Sequence, residues 1–162
     1  MTEKGFPWYK IKEGEVVDSP YTVSANPRLA PITETRFRIA VTPVPKPRQS
    51  QRDKWQQRPA VVAYRRYADV LRIAAEVQQF VFPVAGADLH FALPMPDSWS
   101  QKHRRRMDGQ PHQQKPDLDN LVKAVMDALH RQDCQIWHIT AEKRWAVTGS
   151  LTITTLPYPD HG

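Results

Sequence analysis

Cysteine is nearly absent from this sequence: Cys134 is the single one among 162 residues. One thiol can build neither an internal disulfide framework nor a zinc site of several cysteines. Glycine is scarce at 6 residues while proline reaches 15, so stiff loops and extended ends are expected. No apolar run approaches the length of a membrane span. The first residues hold no continuous apolar stretch of the signal-peptide kind, so a cytoplasmic protein without membrane attachment is expected. Hydrophobic residues at 40% and charged residues at 25% are ordinary for a soluble globular chain. The length suits one domain with a real core.

Charge is what the sequence has in excess. Its net value is +6, and the distribution is uneven. Residues 1–35 carry four basic and five acidic side chains. Residues 46–72 carry eight basic ones, among them Arg48, Arg52, Lys54 and Arg58, against Asp53 and Asp69. Residues 98–115 carry Lys102, Arg104, Arg105, Arg106 and Lys115 against Asp108 alone. A single charge run is most often a solvated face. Two such blocks, the second running straight into an acidic cluster, favour a polyanionic partner.

Residues 1–35 hold Pro7, Pro20, Pro27 and Pro31 with no sustained period, and read as an extended arm. Arg36–Thr42 alternates Phe37, Ile39 and Val41 with polar residues, the pattern of a half-buried strand. Pro43, Pro45 and Pro47 end it and open a basic loop. A helix is expected from Pro59 to about Val81, with Ala63, Tyr67, Val70, Ala74, Val77 and Val81 facing the core. Residues 87–94 alternate again and predict a second strand, and 98–114 read as a long polar loop. Further strands are expected at about 134–140, 143–148 and 150–156, with a turn or bulge at Gly149. The expected fold is a single α+β domain (mixed α/β) over 36–156, a small mixed sheet with two main helices, followed by a tail at 157–162.

The most informative stretch is Lys115-Pro-Asp-Leu-Asp-Asn-Leu-Val-Lys-Ala-Val-Met-Asp-Ala-Leu129. Leu118, Leu121, Val122, Val125, Met126 and Leu129 form one helical stripe, so a helix over 117–129 is expected. Asp119, Lys123 and Asp127 follow at successive i+4 steps on another face, and Asp117 and Asp119 straddle the helix start. A surface helix with acidic residues at its positive end and an i,i+4 ion pair accounts for this spacing equally well. The alternative is metal chemistry. Asp117, Asp119, Asp127 and Asp133 offer oxygen ligands suited to a hard divalent cation. Carboxylates beside a basic surface are what metal-assisted phosphodiester hydrolysis requires, with a nearby lysine to steady developing negative charge.

Together with Asp133-Cys-Gln-Ile136, this motif resembles the signature of the RusA family of Holliday junction resolvases, phage and prophage members included. The strand ending in Pro-Met-Pro, the Ser98-Trp-Ser segment and the basic loop add to the resemblance, which covers roughly residues 36–155. It implies a homodimeric, Mg²⁺-dependent endonuclease, with Mn²⁺ as a substitute and no small-molecule cofactor, acting on branched DNA of the four-way type. By motif position, Asp117, Asp119 and Asp133 match the metal-binding aspartates and Lys123 the catalytic lysine, while Asn120 and Asp127 match supporting positions. Arg48, Arg52, Lys54, Arg58, Lys102, Arg104, Arg105, Arg106 and Lys115 are the candidate DNA-binding residues. One departure is plain: only His130, Arg131 and Gln132 separate the Asp-Ala-Leu of the motif from Asp133, where family members usually carry a longer turn. A non-catalytic binder of branched DNA with the same fold is the second reading. A nuclease for flaps, forks or nicked duplex is the third.

Overall fold

The computed structural model describes residues 35–48, 58–83, 86–130 and 135–156. The arm up to residue 34, the loop carrying Arg52 and Lys54, the segment with Asp133 and Cys134, and the tail from 157 lie outside the described residues. The described elements are β1 (Arg36–Ile39), α1 (Pro59–Val77), β2 (Ala87–Pro94), α2 (Gln101–Met107), α3 (Leu118–Leu129), β3 (Ile139–Ala146) and β4 (Ser150–Thr155). They form an α+β domain with a four-stranded mixed sheet in the order β1-β4-β2-β3. β4 runs antiparallel to both its neighbours, while β2 and β3 are parallel. A parallel pair cannot be joined by a tight turn, and α2 and α3 supply the crossover.

The period-2 alternation decides which face of the sheet is buried. Leu89, Phe91 and Leu93 of β2 join Phe37 of β1 and Leu151 and Ile153 of β4 in one core, closed by α1 and α3. The opposite face is polar: Arg36 and Arg38 pair with Thr154 and Thr152, which in turn pair with Asp88 and His90. There Glu142 bonds Arg144 at 2.7 Å and lies 3.4 Å from His90. The Arg144 hydrogen bond holds the Glu142 carboxyl below its ordinary range.

α1 begins with Pro59 in its first turn, where a missing N–H costs nothing. It ends at Val77 rather than Val81, and its core face is rotated from the expected one: Tyr67 is buried and Ala74 packs at the margin as expected, while Ala63 is exposed. Val61, Tyr64, Tyr67, Ala68, Leu71 and Ala75 are buried, whereas Val70, Val77 and Val81 are 42%, 78% and 83% exposed. Apolar residues occur on both sides of this helix, so the 3.6 period leaves its phase open. The bulk of Tyr64 and Leu71 settles it. In α3 the same rotation is smaller: Leu121, Ala124, Val125 and Ala128 are buried, and Leu118, Val122 and Leu129 pack at the margin.

The polar stretch 98–114 is not a loop throughout. It contains α2, capped by the Ser100 hydroxyl, which accepts from the His103 N–H at 3.3 Å. Trp99 anchors it, its ring 4.9 Å from Trp145 and 4.4 Å from His103. The chain then runs along the edge of β3: Gly109 N–H donates to the Trp145 carbonyl, Trp145 N–H to Gln110, and His112 N–H to Lys143. This added ribbon covers backbone groups that an edge strand would otherwise leave open. β3 itself is one strand where two were expected. Ala141 packs inward and Glu142 pairs with His90, so nothing breaks the ladder between them.

Gly149 turns the chain into β4 hard against the start of the proline segment. A Cβ there would lie 2.6 Å from the Cα of Thr42, which is backbone and cannot swing aside. Gly149→Ala is therefore expected to destabilise the fold by about 1–3 kcal/mol, the usual cost of overpacking. Urea denaturation of variant and wild type checks this.

Candidate active site

The site forms where three pieces of chain converge beyond the end of β2. Prolines 43, 45 and 47 hold the segment after β1 extended, so Lys46 is delivered on a stiff strip rather than a free loop. Its N–H donates to the Asn120 carbonyl at 3.0 Å, laying the strip across the first turns of α3. Its ammonium donates to Asp127 Oδ2. Lys123 Nζ lies 3.1 Å from Asp127 Oδ1, so each oxygen of this carboxylate faces its own cation. Beneath them, burial and then the Asp127 carboxylate hold the Tyr64 hydroxyl above its ordinary pKa, so that it stays protonated.

Asp117 is the N-cap of α3, with extended backbone at φ −70° and ψ 141°. An aspartate at this position ordinarily accepts a hydrogen bond from the first helical amides. Here it makes no such bond, and its carboxylate is exposed. Asp119 follows in the first turn, also exposed, where the helix dipole favours its charge. The segment before them is clamped from the sheet: Lys143 Nζ donates to the carbonyls of Gln114 and Pro116, both at 2.6 Å. The Lys115–Pro116 peptide is cis. Hydrogen bonds from a charged donor are among the stronger ones, and this pair fixes the backbone that presents Asp117.

Two exposed carboxylates, one of them not used for capping, fit a hard divalent cation, which can be held by one or two carboxylates with water and phosphate completing its shell. Among the described residues no group of three or more His, Cys, Asp or Glu side chains comes together. The remaining expected ligand, Asp133, lies outside the described residues.

A cleft of about 680 Å³ opens beside Asp117, between the proline strip, the ends of β2 and β3 and the start of α3. Lys46, Lys115, Asp117 and Asn120 are among its lining residues. His112 and Trp145 line it too, their ring centroids 3.8 Å apart. Gln114 N–H donates to His112 Nδ1 at 3.4 Å, which leaves the imidazole proton on Nε2. Burial, followed by the charge of Lys143, keeps the His112 pKa below the ordinary histidine value, so the ring is neutral. The unfolded chain therefore holds this proton more tightly. The associated stability is complete above about pH 6.5 and is lost as pH falls through the lower folded value. Urea midpoints from about pH 7.5 down to 5.5 should fall less steeply for His112→Asn, which keeps an acceptor for Gln114, than for wild type.

The sequence-derived candidates sort by position. Asp117, Asp119, Asn120, Lys123 and Asp127 share α3, and Lys123 meets Asp127 directly. Arg58 donates to the Arg48 carbonyl at 2.7 Å, which brings those two arginines together. Lys102, Arg105 and Arg106 are exposed on α2, and Arg104 lies 3.7 Å from Asp97. Arg52 and Lys54 lie outside the described residues. Lys46, His112 and Lys143 escaped sequence reasoning. The Pro45-Lys46-Pro47 tripeptide was a usable signal, because a lysine between two prolines sits on rigid backbone. Nothing local marks Lys143, whose role depends on the register of β3.

A search of the curated proteins gave no match. The family model for endodeoxyribonuclease RusA matches residues 40–155, a span that takes in both α3 and the strip carrying Lys46. With well over half its length matched, the chain belongs to the RusA family of endodeoxyribonucleases.

Proposed function

We propose that this protein resolves four-way DNA junctions by metal-dependent phosphodiester hydrolysis, with Asp117, Asp119 and Asp133 as the carboxylates that hold Mg²⁺ or Mn²⁺. The observation that carries this reading is the N-cap aspartate that leaves its helix uncapped at a cleft lined by Lys46 and Lys115, with a second exposed carboxylate, Asp119, in the first turn of the same helix. The bound cation would supply charge neutralisation at the scissile phosphate and an activated water. The protein's own groups do the positioning. Lys123 steadies negative charge growing on the phosphoryl oxygens, and Asp127 holds that ammonium in place from one oxygen while Lys46 occupies the other. Asn120 supports the arrangement through its carbonyl.

Lys102, Arg105 and Arg106 on α2, with Lys115 and the pair Arg48 and Arg58, supply phosphate contacts along the arms of the junction. Symmetric incision of two strands requires two sites, and a homodimer provides them. The role belongs to recombination and repair in the cytoplasm of a bacterial or phage-infected cell. The test is a synthetic four-way junction incubated with purified protein. Paired nicks are expected with Mg²⁺ or Mn²⁺ and none with chelator, and affinity should fall linearly against salt on logarithmic axes. Junctions left intact across metals and pH, while a known resolvase cuts them, would remove the enzyme. Metal-independent binding in that case would leave a branched-DNA-binding protein.

A further inference from the structure

Lys46 and Lys123 take the two oxygens of Asp127, and only Lys123 acts on the phosphate in the reading above. Lys46 is the more firmly placed of the pair. Its backbone N–H is bonded to the Asn120 carbonyl at 3.0 Å and its ammonium to Asp127, so both ends of the side chain are held. The two lysines also open onto different flanks of α3. Lys46 lines the cleft that Asp117 lines. Lys123 and Asp119 line a separate depression, with Val122 and Met126, against Ile139 and Ala141 of β3. Each candidate metal carboxylate thus shares a depression with a different lysine, and Asp127 joins the two lysines. An ammonium carries three donors, so the bond to Asp127 leaves Lys46 able to donate to a substrate oxygen.

Displacement at phosphorus places the attacking and leaving oxygens in line, on opposite sides of the phosphorus. One side needs a proton taken and the other needs a proton given. An ammonium can only give one. We propose that Lys46 is a second catalytic lysine, the general acid that protonates the oxygen leaving the scissile phosphorus. The inference rests on the nuclease reading given above and adds to it the group that completes bond cleavage. As the water oxygen bonds to phosphorus, the ester P–O bond breaks and its electron pair passes to the leaving oxygen, which takes a proton from Lys46 Nζ. The proton released by the attacking water goes to solvent, and solvent recharges the amine. Asp127 aims the ammonium, and the proline strip keeps it on the Asp117 flank while Lys123 serves the non-bridging oxygens.

The test pairs a change of charge carrier with a change of leaving atom. The ends left by wild-type protein on a four-way junction identify which bridging oxygen departs, and a junction with sulfur at that position is then prepared. A thiolate is a far weaker base than an alkoxide and leaves without a proton. All rates are measured in Mn²⁺, which accepts sulfur. Lys46→Arg keeps a cation for Asp127 but cannot release a proton. It is expected to cut the oxygen junction about 100-fold more slowly than wild type, the lower end of what a general acid contributes. On the sulfur junction its rate should come within about threefold of wild type, and junction affinity by gel shift within about twofold. Lys123→Met, which removes only charge stabilisation, should lose the same factor on both junctions. If thermal melting shows that Lys46→Arg does not fold, Lys46→Gln takes its place in the same comparison. A wild-type rate for Lys46→Arg on the oxygen junction, or equal losses on oxygen and sulfur, would overturn the acid role while leaving the nuclease intact. Wild-type protein that neither binds nor cuts the oxygen junction would overturn both.

Discussion

Asp119→Asn is expected to bind four-way junctions within about threefold of wild type while cutting them about a thousandfold more slowly, the scale expected when charge stabilisation at a transition state is removed. The change is isosteric, so the fold should stand. The variant loses only the interaction of a first-turn carboxylate with the helix dipole, worth about 0.3–1 kcal/mol. Asp117→Asn should behave alike for a more telling reason. Asparagine is as good an N-cap as aspartate, and Asp117 makes no capping bond to lose. A purely structural aspartate would show the reverse pattern, with altered stability and unaltered cleavage. Single-turnover cleavage, junction binding by gel shift and thermal melting on the same two variants separate the cases.

Asp127→Ala is expected to lower the cleavage rate by about 10- to 100-fold, the range for groups that orient a catalytic shell, and to destabilise the protein by about 1–3 kcal/mol. Both effects follow from leaving Lys46 and Lys123 facing each other without the carboxylate between them. The two ammonium groups differ in what they can do next. Lys46 is fixed by the Pro45–Pro47 strip and the Asn120 carbonyl, whereas Lys123 rides on α3. Removing the fixed charge should relieve the repulsion, so Lys46→Met is expected to destabilise the wild type yet stabilise Asp127→Ala. Urea denaturation of the four proteins forms a double-mutant cycle. Additive effects would mean that the three side chains do not act as a unit.

The α+β class and the strand at 87–94 were legible because their alternation is strict and each is bounded by proline or glycine. The family motif was legible because its carboxylates, asparagine and lysine fall at fixed helical spacings. What escaped depended on tertiary contacts. The phase of α1 was undetermined by a sequence with apolar residues on both faces, and burial of Tyr64 and Leu71 chose it. α2 carries no apolar stripe, having no buried residue of its own, so its helix was invisible to periodicity; the Ser100 cap was the local clue. Lys143 acts on a loop 27 residues away from it in sequence, and no local pattern encodes that distance. The cleft required the proline strip, α3 and the end of β2 to be brought together.

The scissile phosphate is expected to meet a cation held by Asp117 and Asp119. Replacing one non-bridging oxygen of that phosphate by sulfur tests it most directly, because hard Mg²⁺ avoids sulfur and Mn²⁺ accepts it more readily. With one of the two sulfur stereoisomers, cleavage is expected to drop sharply in Mg²⁺ and to recover in Mn²⁺, with no recovery for Asp119→Asn. Equal rates in the two metals for both stereoisomers, or recovery that persists without the Asp119 carboxylate, would contradict it.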